Sequence, residues 1–257
     1  MLAMRPYGGY FYNLGRETFL APVRWEDVWP LTSPGIGHVE FTGRAPNLPE
    51  HPWPPVPARD DFAAAVLAPH WNSLRGPADE FASLTARPGY LRLRVRPESL
   101  SEATNPSFVG RRQQHIDFTA QASVEFAPQH ETESAGLVLV QSNDFHFRYI
   151  ITKKSGPILR LIKRAHGVDE LLAEQSLASA TCLMKIVADG QQYSFYFAEQ
   201  SGEWRLFAGP VDGRILSTPV ASGFVGAYIA MYASSDGQPS DNHADFDWFE
   251  YFSTPQT

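Results

Sequence analysis

The sequence predicts an all-β protein, built as a two-sheet antiparallel β-sandwich with an irregular N-terminal extension. Apolar and polar residues alternate strictly over residues 116–126, which is the period of a strand with one buried face. Ten or more strand-like segments follow one another with turn signals at regular spacing, a pattern typical of sandwiches. Only one short segment, residues 169–177, favours a helix.

The longest predicted strand lies in the middle of the chain. Its apolar residues are Ile116, Phe118, Ala120, Ala122, Val124 and Phe126, and the polar residues between them are Asp117, Thr119, Gln121, Ser123 and Glu125. A helix would scatter the apolar set around its circumference, whereas a strand places that set on one face. We therefore expect one face of this strand to pack on the core and the other to meet water.

The clearest hairpin joins residues 183–188 to residues 193–197 through Asp189-Gly190. Asp-Gly tolerates the positive φ of tight turns, so this pair favours a two-residue connection. A second predicted hairpin turns around Ser142-Asn143-Asp144. The remaining predicted strands cover residues 90–95, 136–140, 145–151, 158–163, 204–207, 224–233 and 244–251.

The N-terminal residues differ in composition from the rest. Seven aromatic residues crowd into residues 7–29, a piece too short to enclose them, so it must lie against the later domain or another chain. Six prolines within residues 46–57 predict a stiff, extended connector. We therefore divide the chain into residues 1–53, an extension with its proline-rich connector, and residues 54–257, the sandwich.

Charge and composition exclude several classes of function. The net charge is −7 and no block of lysine or arginine occurs, so neither nucleic acid nor a membrane is an expected partner. No apolar run is long enough to span a bilayer and no secretion signal is visible, so we expect a cytoplasmic protein. Cys182 is the single cysteine and the eight histidines lack ligand spacing, so no metal and no cofactor are expected.

Several motifs together resemble the C-terminal part of glycoside hydrolase family 43 β-xylosidases and arabinofuranosidases. Their order and spacing match over nearly the whole chain. The matching motifs are residues 14–23 (LGRETFLAPV) with Trp25 and Trp29-Pro30, residues 108–115 (FVGRRQQH), residues 223–227 (GFVGA) and residues 244–249 (ADFDWF). The resemblance implies a concanavalin A-like, jelly-roll type sandwich at 54–257, preceded by the tail of a five-bladed catalytic propeller at 1–53.

The same resemblance implies an accessory role for this sequence. Similar enzymes invert configuration with an acid and a base held roughly 6.5–9.5 Å apart, and their catalytic carboxylates lie in propeller blades upstream of Leu14. We therefore assign no catalytic residue here and expect the chain alone to be inactive. The expected partners are a xylo- or arabino-oligosaccharide and a catalytic propeller chain or a second copy. The alternatives are a free-standing, lectin-like carbohydrate-binding module and a degenerate fragment.

Three residues are candidate substrate contacts by this resemblance. Arg16 lies where similar enzymes offer an arginine to the innermost sugar, and a guanidinium can donate to two adjacent hydroxyls. The alternative is a structural pair with Glu17 or another acid. Phe224 lies where a sandwich loop of similar enzymes closes the pocket with an aromatic ring. Tyr228 competes for that role, and core packing is the alternative for both.

Two polar clusters are also candidates. Arg111, Arg112, Gln114 and His115 could line a lectin-like groove, but we favour internal salt bridges and a domain interface. Asp245 and Asp247 alternate with aromatic residues and are predicted to share one face of the last strand. That face could be half of a calcium site, although a solvated face is the more common outcome for such a pair.

Overall fold

The computed structural model describes residues 2–5, 9–40, 42–199 and 202–253. Within these ranges the structure is almost entirely β. The extension contains β1 (Leu2–Met4), β2 (Arg16–Thr18), β3 (Val23–Glu26) and β4 (Trp29–Thr32). The later strands are β5 (Arg59–Asp60), β6 (Ala82–Ser83), β7 (Leu91–Arg94), β8 (Ser107–Arg112), β9 (Phe118–Glu125), β10 (Ser134–Ser142), β11 (Phe145–Lys153), β12 (Pro157–Ala165), β13 (Val168–Ser176), β14 (Thr181–Asp189), β15 (Gln192–Ala198), β16 (Arg205–Asp212), β17 (Tyr228–Ser234) and β18 (His243–Ser253).

Helical structure is limited to short pieces in the described ranges. These are two 3₁₀ turns, Ala78–Glu80 and Gly213–Leu216, and one four-residue helix, α1, Thr218–Ala221. None of these helices is long and apolar enough to cross a membrane.

The strands form two antiparallel sheets, which confirms the predicted sandwich. One sheet has six strands in the order β13-β12-β11-β10-β17-β8. The other has eight, in the order β16-β15-β14-β9-β18-β7-β6 with β5 paired to β18. Both predicted hairpins are present, as β10–β11 and β14–β15.

The main core lies between the two sheets. Phe118, Ala120, Ala122 and Val124 of β9 are fully buried in it, as their alternation predicts. The polar face of β9 is less open than expected, because Thr119 and Ser123 are only 8% and 5% exposed. The reason is position, since β9 lies between β14 and β18 in the middle of its sheet.

The outer face of the six-stranded sheet carries a second apolar cluster. It contains Leu100, Phe108, Val138, Val140, Ile150, Ala230 and Tyr232. Leu100 belongs to the segment between β7 and β8, which is fastened over the sheet because the backbone N–H of Leu100 donates to the hydroxyl of Tyr232 at 3.3 Å. This face is therefore partly covered by the chain itself.

The predicted helix at residues 169–177 is wrong, because this segment is β13. It follows β12 through a turn in which His166 and Gly167 have φ values of 51° and 77°. Cross-strand ion pairs join β12 to β13: Lys163 to Glu170, Arg164 to Asp169 and Arg160 to Glu174. Helix-forming residues such as Glu, Leu and Ala thus form a charged edge strand because pairing overrides their weak intrinsic preference.

A β-bulge interrupts the predicted alternation of Asp245 and Asp247 along the last strand. A β-bulge interrupts the register between Phe246 and Trp248, so that Asp245 pairs across from Glu125 while Trp248 pairs across from Ser123. The extra residue of a bulge shifts the alternation of everything after it. Trp248, which pairs across from Ser123, therefore lies on the same outer face as Asp245.

The N-terminal extension forms two small hairpin-like sheets, β1–β2 and β3–β4. Every residue of β3 and β4 is exposed, including Trp25 at 69% and Trp29 at 72%. Residues 46–57 form no helix or strand and are exposed throughout, in keeping with their prolines. Among the described residues, the extension contacts the sandwich through the segment from Phe11 to Arg16.

Candidate functional site

Arg16 and Phe224 lie together at the surface although 208 positions separate them. The guanidinium carbon of Arg16, at the start of β2, is 4.9 Å from the ring centroid of Phe224. This distance is within the range of a cation–π contact. Phe224 is 61% exposed in the loop between α1 and β17, so the core-packing alternative for it is wrong.

Backbone contacts fix the two segments that carry this pair. Gly15 forms an antiparallel β-bridge with Val225, and the N–H of Ala227 donates to the carbonyl of Asn13 at 2.9 Å. The loop that carries Phe224 is also held by β10, because the side-chain amide of Gln141 donates to the carbonyl of Ser222 at 3.0 Å. The main chain is thus anchored within one or two residues of Arg16 and within one or two residues of Phe224.

Asn13 joins the extension to the inside of the sandwich. It is fully buried, and its amide donates to the carbonyl of Gly213 at 3.1 Å and to the hydroxyl of Tyr193 at 3.3 Å. Its side-chain oxygen accepts from Gln191 at 3.0 Å, and Tyr193 in turn donates to Gln113 at 3.1 Å. A buried amide with all these partners holds the start of β2 firmly against the core.

Arg16 retains its hydrogen-bonding capacity. The alternative pairing with Glu17 is wrong, because Glu17 forms its ion pair with Arg5. The Arg16 side chain makes no hydrogen bond or ion pair with the residues that the structure describes, and it contacts the Phe224 ring. An exposed guanidinium beside an exposed aromatic face offers in-plane donors for hydroxyls and an apolar surface for C–H groups.

Tyr228 lies elsewhere, on the outer face of the six-stranded sheet. Its ring packs against Phe108 with a centroid distance of 6.2 Å, and the guanidinium carbon of Arg112 lies 4.7 Å from its centroid. The predicted strand at 224–233 begins only at Tyr228, which separates Tyr228 from the Phe224 loop. The structure therefore brings Arg16 to Phe224 and places Tyr228 with the second apolar cluster.

The segment from Arg111 to His115 is buried at Arg111 and Gln113 and exposed at Arg112, Gln114 and His115. Arg111 is 8% exposed, with its guanidinium carbon 4.4 Å from the Tyr251 ring centroid, and burial lowers its pKa. The hydroxyl of Tyr251 accepts from the N–H groups of Gln114 and His115 at 3.0 Å each. The segment thus connects the two sheets, but through aromatic and amide contacts. No carboxylate within the described ranges pairs with Arg111 or Arg112, so the predicted salt bridges are wrong.

Asp245 is neither solvated nor free to bind a cation. It is 4% exposed and accepts from Arg92 at 2.7 and 2.8 Å and from Arg87 at 2.9 Å. Burial raises the pKa of Asp245, but the hydrogen bonds from the two guanidinium groups outweigh this and leave the pKa below its usual value. In the described part of the chain, no three His, Cys, Asp or Glu side chains converge where they could hold a metal ion.

Sequence reasoning missed the residues that hold the site together. Asn13, Gln191, Gly15 and Gly226 have no chemical motif of their own. The signal that could have found two of them is the pairing of glycines beside each candidate, Gly15 before Arg16 and Gly226 after Phe224, since glycine permits close backbone approach.

Comparison with known proteins agrees with this fold. Residues 59–252 match the family model of the β-xylosidase C-terminal concanavalin A-like domain, and the chain belongs to this family. A non-reducing end α-L-arabinofuranosidase of Bacteroides ovatus is 38% identical over 97% of the chain and 47% of its own length. A xylan 1,3-β-xylosidase of a Vibrio species is 32% identical over 96% of the chain and 47% of its own length.

Solved structures show the same architecture. The xylan β-1,4-xylosidase of Bacillus halodurans superposes with a TM-score of 0.91 at 32% identity, covering 97% of this chain and 49% of that enzyme. The chain thus spans about half the length of the relatives it matches, and the concanavalin A-like sandwich is confirmed. Because the match runs across the extension as well as the sandwich, a free-standing lectin-like module is not favoured.

Proposed function

We propose that this chain is the C-terminal accessory portion of a family 43 glycoside hydrolase and completes its sugar-binding pocket. In this proposal Arg16 donates hydrogen bonds to ring hydroxyls of a xylo- or arabino-oligosaccharide, and Phe224 covers the apolar face of the sugar. The observation that carries it is the contact between these two exposed side chains, both mounted on anchored backbone.

Rigidity supports a binding role for the pair. A pocket residue contributes most to binding when the surrounding fold already holds it in its bound position, because little conformational entropy is then lost on binding. Asn13 anchors the backbone on the Arg16 side, and Gln141 and the Gly15 bridge anchor the loop on the Phe224 side. An ordinary surface Arg–Phe contact would not need hydrogen bonds that anchor the main chain on both sides.

The catalytic carboxylates are proposed to come from a propeller domain. The exposed faces of β3 and β4, with Trp25 and Trp29, offer the apolar surface on which such a domain could pack. Acid and base would then lie on the propeller, and this chain would shape the pocket and exclude water from it.

A chimera tests the proposal. The chain replaces the corresponding half of the Bacteroides ovatus relative, and hydrolysis of an aryl β-xyloside and an aryl α-arabinofuranoside is measured. We expect activity that falls when Phe224 is replaced by Ala and is retained in Phe252→Ala, whose side chain is also exposed, at 39%, but on β18. A folded chimera whose activity is indifferent to Phe224 would contradict the proposed role.

A further inference from the structure

A second cluster of polar and aromatic side chains lies on the outer face of the eight-stranded sheet. Lys185 is in the middle of β14, between the core residues Met184 and Ile186, so its side chain points away from the core. Its ammonium nitrogen lies 4.2 Å from the ring centroid of Trp204 and 4.9 Å from that of Tyr196. Tyr196 is the direct cross-strand partner of Lys185.

The ammonium group of Lys185 has no anionic partner. To the residues that the structure describes, it makes no hydrogen bond and no ion pair. Two acidic residues of the same face are engaged elsewhere: Glu250 accepts from Gln121, and Glu125 accepts from Arg87 at 2.6 Å and from Tyr90 at 3.2 Å. Burial alone lowers the pKa of Lys185. A half-buried cation held only by two rings therefore keeps unused donors.

The surroundings of Lys185 are open and apolar. Leu206, the cross-strand neighbour of Tyr196, is 56% exposed. None of the buried apolar clusters of the described residues lies on this face, since the main core is between the sheets and the second cluster is on the six-stranded sheet. A ligand could therefore reach the rings and the ammonium group from solvent.

We propose that Lys185, Tyr196 and Trp204 bind an acidic oligosaccharide, through a uronic acid carboxylate that pairs with the ammonium group. Charge complementarity selects an anion, because a neutral sugar leaves the cation unpaired. The two rings select a sugar acid over a simple carboxylate, since aromatic surfaces pack against the C–H face of a pyranose. This site lies on the sheet face and is independent of the Arg16–Phe224 pair and of the function proposed for it.

Titrations of the whole chain, followed by tryptophan fluorescence and by amide NMR shifts, test the proposal. The probes are xylotetraose with one glucuronic acid branch, unsubstituted xylotetraose and sodium glucuronate. We expect the branched probe to bind about tenfold more tightly than the unsubstituted one, the effect of one charge-assisted hydrogen bond. Lys185→Met should remove this preference while Lys185→Arg keeps it, and Trp204→Ala should weaken both oligosaccharides.

Matched controls separate the outcomes. Lys163→Met removes a lysine that pairs with Glu170 on the other sheet and should change nothing. Thermal melts establish that each variant is folded. Three results would each overturn the proposal. The branched and unsubstituted probes could bind equally well, or free glucuronate could bind as tightly as the branched probe. The third is that no probe binds at concentrations of about 10 mM, the range of a weak sugar complex. Binding that is lost in Phe224→Ala but kept in Lys185→Met would overturn it too, while supporting the site at Arg16.

Discussion

The backbones of Gly15 and Gly226 cross with no room for a side chain on either residue. A Cβ on Gly15 would lie 2.3 Å from the amide nitrogen of Gly226, and a Cβ on Gly226 would lie 2.3 Å from the carbonyl oxygen of Leu14. Both obstructing atoms are main chain, so neither can rotate away. This crossing sets the position of Arg16 relative to Phe224, since each lies within two residues of it.

Replacing Gly226 by Ala should destabilise the fold by about 1–3 kcal/mol, because the methyl group forces two main-chain segments apart. Thermal and denaturant unfolding measure the effect. Gly156→Ala is the control, since a Cβ there would meet nothing within 4 Å. If Gly226→Ala and Gly156→Ala were equally stable, the two main-chain segments would have room for a methyl group at Gly226, which would contradict the structure.

Replacing Asn13 by Ala should loosen the extension and lower the free energy of unfolding by about 2 kcal/mol. The change leaves Gln191 and Tyr193 with unmatched buried groups, and each such group carries a desolvation penalty. Hydrogen exchange at residues 12–16 should accelerate more than exchange in β9. Asn47→Ala, at an exposed position, is the matched control. Unchanged exchange at residues 12–16 would contradict the anchoring role.

Glu133 should make the fold acid-sensitive. It is 2% exposed, and burial raises its pKa, but hydrogen bonds from Asn242, Ser240 and the N–H groups of Gln129 and His130 leave the pKa below its usual value. Its stabilisation is therefore present above the unfolded pKa and is lost as pH falls through the folded pKa.

Glu133→Gln tests this pH dependence. The variant should be about 2 kcal/mol less stable at pH 7, because an amide cannot accept at both of its ends. The difference from wild type should shrink towards pH 3. A constant difference across that range would mean that the ionised Glu133 carboxylate is not what stabilises the fold.

His146 should also weaken the fold in mild acid. It is fully buried on β11, and burial, with Arg148 next in strength and Arg164 acting the same way, lowers its pKa from 6.5 to about 4, against the opposing effects of the Ser142 carbonyl and of Asp169. The unfolded state binds the proton first, so stability falls as pH drops from about 6.5 towards 4, by roughly 3 kcal/mol. His146→Gln should flatten the stability profile in this interval. A variant with the wild-type slope would contradict it.

Local patterns predicted the strands well because a strand with one buried face has alternating apolar and polar residues in the sequence. The alternation at 116–126 identified β9, and Asp189-Gly190 identified the β14–β15 hairpin. The same logic failed at residues 169–177, where charged edge residues leave no alternation and pairing with β12 decides the structure. It also missed the bulge beside Asp247, because one extra residue changes the alternation of a strand without changing its composition.

The sites depend on contacts that no local pattern contains. Arg16 and Phe224 were singled out by family resemblance, while their contact and its anchors, Asn13 and Gly226, required the folded chain. Lys185 passed unnoticed because alternation within a strand makes it look like an ordinary solvent-facing residue. Its lack of a counter-ion is visible only when every neighbouring strand is in place.

The most direct test of the proposed sugar-binding site is a double-mutant cycle on Arg16 and Phe224 in the chimera with the Bacteroides ovatus relative. We expect each single change to Ala to lower kcat/KM by about tenfold or more. The double variant should lose less than the product of the two, with a coupling of about 0.5–3 kcal/mol, because both side chains act on one sugar. A shared binding site would be contradicted if neither single change lowered kcat/KM. It would also be contradicted if the loss of kcat/KM in the double variant equalled the product of the two single losses.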